Sequence, residues 1–94
     1  MKLLKEVTND TAHLQFIEHN GLKFKLEYDP QNYCAVAGTR SFYAAILKDG
    51  VWVKIAHSND IGFKSISGLF TDAQRKADVA KFFQLMKEHI EMLY

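Results

Sequence analysis

The stretch TDAQRKADVAKFFQLMKEHIEMLY, residues 71–94, carries Val79, Phe82, Phe83, Met86, Ile90 and Leu93 at three- and four-residue steps. At 3.6 residues per turn these positions fall on one face of a helix, and that face needs an apolar surface to cover it. Thr71 and Gln74 stand at the spacing of a capping box, in which the threonine hydroxyl accepts from the Gln74 N–H and the glutamine side chain reaches back to Thr71. Asp72 in the first turn suits the positive end of the helix dipole. Leu85 and Met92, seven residues apart, lie about 100° round from the Met86 stripe, so one sheet does not easily cover both faces.

Upstream the pattern changes to alternation. Leu14 and Phe16 alternate with His13, Gln15 and Ile17, and after Asn20-Gly21 the run Leu22, Phe24, Leu26, Tyr28 alternates with Lys23, Lys25 and Glu27, which reads as a hairpin. Two registers compete. A two-residue Asn20-Gly21 turn pairs Phe16 with Lys25 and Leu14 with Glu27, apolar against charged. A three-residue loop, His19-Asn20-Gly21 with Gly21 left-handed in a bulge, pairs Phe16 with Phe24, Leu14 with Leu26 and Ala12 with Tyr28. The second gives one apolar face, with Gln15 and His13 on the wet one, and is the register expected, since a one-residue slip inverts a whole strand. Asp49-Gly50 centres a second hairpin over 42–57. The same bulged loop there pairs Leu47 with Val51, Ala45 with Val53 and Tyr43 with Ile55 on one face, and Ile46 with Trp52 on the other. Ala44 and Ala45 leave room for a close helix, which predicts this hairpin centrally under residues 71–94.

The remaining segments say less. Leu3, Leu4 and Val7 suggest an edge strand before a turn at 8–11. Asp29-Pro30 should break the strand it ends. Beyond it, either a short helix from Pro30 to Gly38 or a short strand from Tyr33 to Ala37 fits. Ser58-Asn59-Asp60 reads as a turn, and 61–68 as a fifth strand or a loop. The expected fold is α+β: an antiparallel sheet of four or five strands, built from two bulged hairpins and covered on one face by the C-terminal helix, in a single domain over residues 1–94.

Composition narrows the functional classes. With 48% hydrophobic and 24% charged residues the chain resembles ordinary globular proteins, and the charge interrupting residues 1–6 argues against an export signal. No apolar run approaches the roughly 20 residues of a membrane span. A lone Cys34 agrees with a reducing, cytoplasmic setting. Among His13, His19, His57, His89 and Cys34, only His13 and His19 stand at a zinc-finger spacing, the widest, and no cysteine pair precedes them, so neither metal nor cofactor is expected. Cys34 sits among apolar neighbours that would keep its thiol inert. Glycines 62 and 68 precede the helix without a phosphate-loop ending. Glu88 and Glu91 share an exposed helix face rather than a cleft.

Three readings of function follow. The leading one is a non-catalytic interaction or regulatory module acting through protein contacts, as a homodimer, with Leu85, Met92 and Tyr94 at the interface; the alternative for Leu85 is cover by Leu3, Leu4 and Val7. The second is a nucleic-acid binder using Lys23, Lys25 and Lys54 on the wet face of the sheet, where most aromatics are expected to point away and Phe42, Trp52 and Tyr33 are the ones to share it. A formal net charge of +1 offers such a partner no strong global attraction. A small enzyme with a dispersed site comes last.

Overall fold

The computed structural model describes residues 1–9, 12–34, 39–63 and 71–94, with backbone alone at 30–34, 39–41 and 72. Five strands, β1 (Lys2–Asn9), β2 (Ala12–His19), β3 (Leu22–Cys34), β4 (Thr39–Lys48) and β5 (Val51–His57), form one antiparallel sheet in the order β1-β2-β3-β4-β5. A single turn of 3-10 helix (Ser58–Ile61) follows β5, and α1 (Asp72–Leu93) packs across the sheet. This is the expected α+β arrangement, with the leading segment as the edge strand β1.

Helix α1 begins as its sequence demands. The Gln74 N–H donates to the Thr71 Oγ1 at 3.2 Å, and the Thr71 N–H donates to the Gln74 Oε1 at 2.8 Å. Phe82, Phe83, Met86 and Ile90 are all buried, against Phe24, Leu26, Tyr28, Phe42 and Ala44. Tyr28, Phe42, Phe63 and Phe82 interlock with ring centroids 4.8 to 6.5 Å apart, several at steep angles, as the ring quadrupole prefers. Leu93, expected on the same stripe, is exposed.

Both hairpin registers differ from those expected. In the first, His19 pairs with Leu22, Ile17 with Phe24, Gln15 with Leu26 and His13 with Tyr28, so Phe16 lies opposite Lys25 and Leu14 opposite Glu27. The turn is the two-residue Asn20-Gly21, with both residues at positive φ, 52° and 78°. Such a turn matches the right-handed twist of the strands it joins, and asparagine tolerates the left-handed region that a bulky residue would not. Asp49 and Gly50, at 52° and 77°, repeat the device in the second hairpin, where Leu47 pairs with Trp52, Ile46 with Val53 and Ala45 with Lys54. A bulge at Ile55 then restores the pairing of Ala44 with Ala56. Gly21 and Gly50 are left-handed as expected, but each shares its turn with a left-handed neighbour rather than serving a bulge.

Two placements are corrected with them. The centre of the sheet under the helix is β3, not the second hairpin, whose β5 is an edge. Pro30 does not end β3: the strand continues to Cys34, and the pairing with β4 lapses between Asp29 and Tyr33, where a residue without an N–H costs no ladder bond. The turn at 58–60 is a 3-10 turn closed by Gly62 at φ 66°. Expectations for residues 10–11, 35–38 and 64–70, including the turn at 8–11, Gly38 and Gly68, and for the side chains of Tyr33 and Cys34, fall outside the described residues.

Candidate functional site: the uncovered face of the sheet

Cross-strand pairing assigns the paired strand residues with described side chains to a face. On the side away from α1, two rows cross the whole sheet: Lys5, Phe16, Lys25, Ala45 and Lys54, and beside it Val7, Leu14, Glu27, Tyr43 and His57. Lys23 lies on the same face opposite Glu18, and Trp52 opposite Leu47. Among the described residues no helix covers this face.

The rings and lysines of the two rows meet. Phe16 on β2 and Trp52 on β5 approach to 5.8 Å between centroids, although their strands stand about 14 Å apart at 4.8 Å per strand. The two side chains therefore lean toward each other across β3 and β4. Beneath them Ala45 is only 1% exposed, which makes this a shallow second apolar cluster rather than a bare sheet. The Lys25 Nζ sits 5.4 Å from the Trp52 ring centroid and 5.7 Å from that of Tyr43, and the Lys54 Nζ sits 4.5 Å from Tyr43. All three separations lie within reach of cation–π attraction, with the ammonium groups themselves over the rings.

Glu27 faces Tyr43 across the ladder and accepts a hydrogen bond from its hydroxyl. Burial, together with nearby Asp29, raises the Glu27 carboxyl above the ordinary carboxylate range, while Lys25, the tyrosine hydrogen bond and Lys54 oppose the shift. Tyr43 is pushed up to about 12 by its own burial and then by the charge and hydrogen bond of Glu27. A phenol held this way stays neutral and fixed in orientation at every physiological pH.

Of the residues read from sequence for a nucleic-acid face, Lys23, Lys25 and Lys54 do share one surface, with Lys25 and Lys54 separated by Ala45 on the intervening strand. Gln15, expected on that wet face, turns under the helix instead with Ile17, Ile17 fully buried and Gln15 nearly so. Phe42 also faces the helix, whereas Phe16 and Tyr43 face the lysines, which the sequence reading missed. The Asn-Gly and Asp-Gly dipeptides carried that signal, since both favour two-residue turns.

Leu85, Met92 and Tyr94 occupy three different settings. Leu85 is half-buried against the core and shares a shallow, open hollow of about 300 Å³ with Ile61, Asp60, Glu88, His89 and Met92, so its neighbour is the 3-10 turn rather than Leu3, Leu4 or Val7. Met92 is 76% exposed. Tyr94 packs its ring edge-on against Phe24 at 5.3 Å, and its carbonyl accepts from the Asn20 Nδ2 at 3.0 Å, pinning the helix end to the first hairpin turn. His13 and His19 stand near opposite ends of β2, His57 ends β5 and His89 lies on α1, and among the described residues no three histidine, cysteine, aspartate or glutamate side chains gather to hold a metal.

Searches against protein-family models, curated proteins and solved structures find no match. The geometry of the faces therefore carries the functional argument. No described helix is long and apolar enough to cross a membrane.

Proposed function

We propose that this protein binds single-stranded nucleic acid across the uncovered face of its sheet. The observation that carries the reading is the gathering of Phe16, Tyr43 and Trp52 on the face that bears Lys25 and Lys54, with both ammoniums lying on those rings. Lysines hold phosphates and release their counterions, while aromatic faces stack unpaired bases, and the pair of functions on one sheet surface suits a single strand. Lys5, Lys25 and Lys54 stand on alternate strands of one row, so their backbone spacing is about 10 Å, a ladder of positive charge for a strand laid across the sheet. A duplex keeps its bases stacked on each other and offers this face phosphates alone, so the rings favour single strands. With a net charge of only +1, attraction comes from this face and not from a global field.

Fluorescence anisotropy with labelled single-stranded DNA and RNA, and with the matching duplex, tests the reading. Three engaged lysines predict a log–log salt slope of about −2, at roughly 0.7 per phosphate contact on a single strand. Trp52, the one tryptophan of the chain, should be quenched on binding. Lys25→Glu with Lys54→Glu should abolish the binding, and Trp52→Ala should weaken it by about 1 to 3 kcal/mol, the worth of one stacked base. Binding that ignores salt, leaves Trp52 unquenched or survives the double charge reversal would overturn it.

A further inference from the structure

A second surface lies at one end of the fold and stands independently of the sheet-face reading. The large apolar side chains left exposed among the described residues are Met1, Leu3, Leu4, Leu22, Val51, Val53, Met92, Leu93 and Tyr94. The meander topology brings all nine to the same end. Both hairpin turns, Asn20-Gly21 and Asp49-Gly50, sit there, β1 begins there opposite Glu18, and the hydrogen bond from Asn20 ties the end of α1 to the same place. Leu3 pairs with Ile17, and Val53 with Ile46, so both point to the helix side of the sheet. They remain bare because α1 lies over β3, the middle strand, and leaves these ends of the two edge strands uncovered. Val51 at 60% and Val53 at 44% exposure are therefore strand residues with an apolar face and no layer over it.

We propose that this end is a self-association surface, on which a second copy of the chain docks about a two-fold axis. Area and charge argue for that occupant. The nine residues are 37 to 76% exposed, which amounts to on the order of 800 Å² together, comparable to what a standard interface takes from each partner. Around them stand both signs of charge, Lys2, Lys48 and Lys87 with Asp49, Glu88 and Glu91. A mixed rim suits a self-complementary contact, since a two-fold axis can set each charge against the opposite sign on the partner. An anionic membrane or a polyanion would meet three carboxylates beside the apolar centre. Met92, projecting from the helix between that rim and the 3-10 turn, is the natural anchor, its flexible thioether filling whatever gap the partner presents.

Sedimentation velocity of the full chain over a wide concentration range, in high salt to exclude nucleic-acid bridging, reads the outcome directly. The expected result is a concentration-dependent dimer. Val53→Lys with Met92→Lys should raise its dissociation constant by at least about 30-fold, the effect of losing one hot spot. Both positions are solvent-exposed, so the far-UV circular dichroism of the double variant should match the parent and its unfolding should stay cooperative, with a Tm that no longer rises with concentration, which separates a lost interface from a lost fold. A parent protein that sediments as a monomer at its solubility limit overturns the proposal, as does a dimer indifferent to the double variant. Flotation of the parent with anionic vesicles, with no dimer in solution, would assign the surface to a membrane instead and equally refute it.

Discussion

Replacing Ile17 by alanine tests the register on which both surfaces depend. Ile17 is fully buried between Phe24 and the helix, whereas its neighbour Phe16 is only half-buried on the opposite face. The change deletes three carbons, worth about 2.4 kcal/mol at 0.8 kcal/mol each, and the cavity left under a helix that cannot collapse far brings the loss to about 3 to 4 kcal/mol. A domain of this size has about 5 to 14 kcal/mol in total, so the variant should remain folded near room temperature but lose at least about 12 °C in Tm. Urea titration followed by far-UV circular dichroism and by Trp52 fluorescence reads it, with the two probes coincident and the m value unchanged. In the bulged register Ile17 would point to water and Leu14 would take its place in the core. A loss under about 1 kcal/mol for Ile17→Ala, with more than about 2 kcal/mol for Leu14→Ala, would refute the pairing and with it the assembly of Phe16, Tyr43 and Trp52.

Two further outcomes follow from side chains that the register moves. Gln15 lies on the helix side with its Nε2 donating to Glu6 at 2.6 Å and its Oε1 buried without a hydrogen-bond partner among the described residues, so Gln15→Leu should be neutral or stabilising by up to about 1 kcal/mol in a thermal melt; a loss above about 2 kcal/mol would mean that the amide is needed. Glu27, whose carboxyl is raised on folding, adds stability below its unfolded pKa and loses it as the pH rises through the folded value. Glu27→Gln should therefore be more stable than the parent at neutral pH, with the gap closing in acid, and should bind single strands more tightly by removing a carboxylate beside Lys25 and Lys54. A gap that widens in acid would reverse the assigned cause.

The helix and its docking face were legible along the chain because they depend on local chemistry. The period of Phe82, Met86 and Ile90 names the buried stripe, and the Thr71–Gln74 spacing places the first turn. The strands were legible too, from the alternation of Leu22 through Tyr28. What the alternation could not decide was which side of β2 turns inward, because Phe16 and Ile17 are adjacent and both apolar, so either face of that strand looks like a core. Only the assembled sheet resolves this. The backbone twist favours two left-handed residues at Asn20-Gly21, and the cost of turning Phe16 and Leu14 outward is offset by Trp52, which arrives from β5, three strands away. No window of sequence spans that contact, and a pairing rule that looks one strand across cannot anticipate it. The exposed apolar end has the same origin: Leu3, Val51 and Met92 lie far apart in sequence, and the meander with a helix narrower than its sheet is what brings them together and leaves them uncovered.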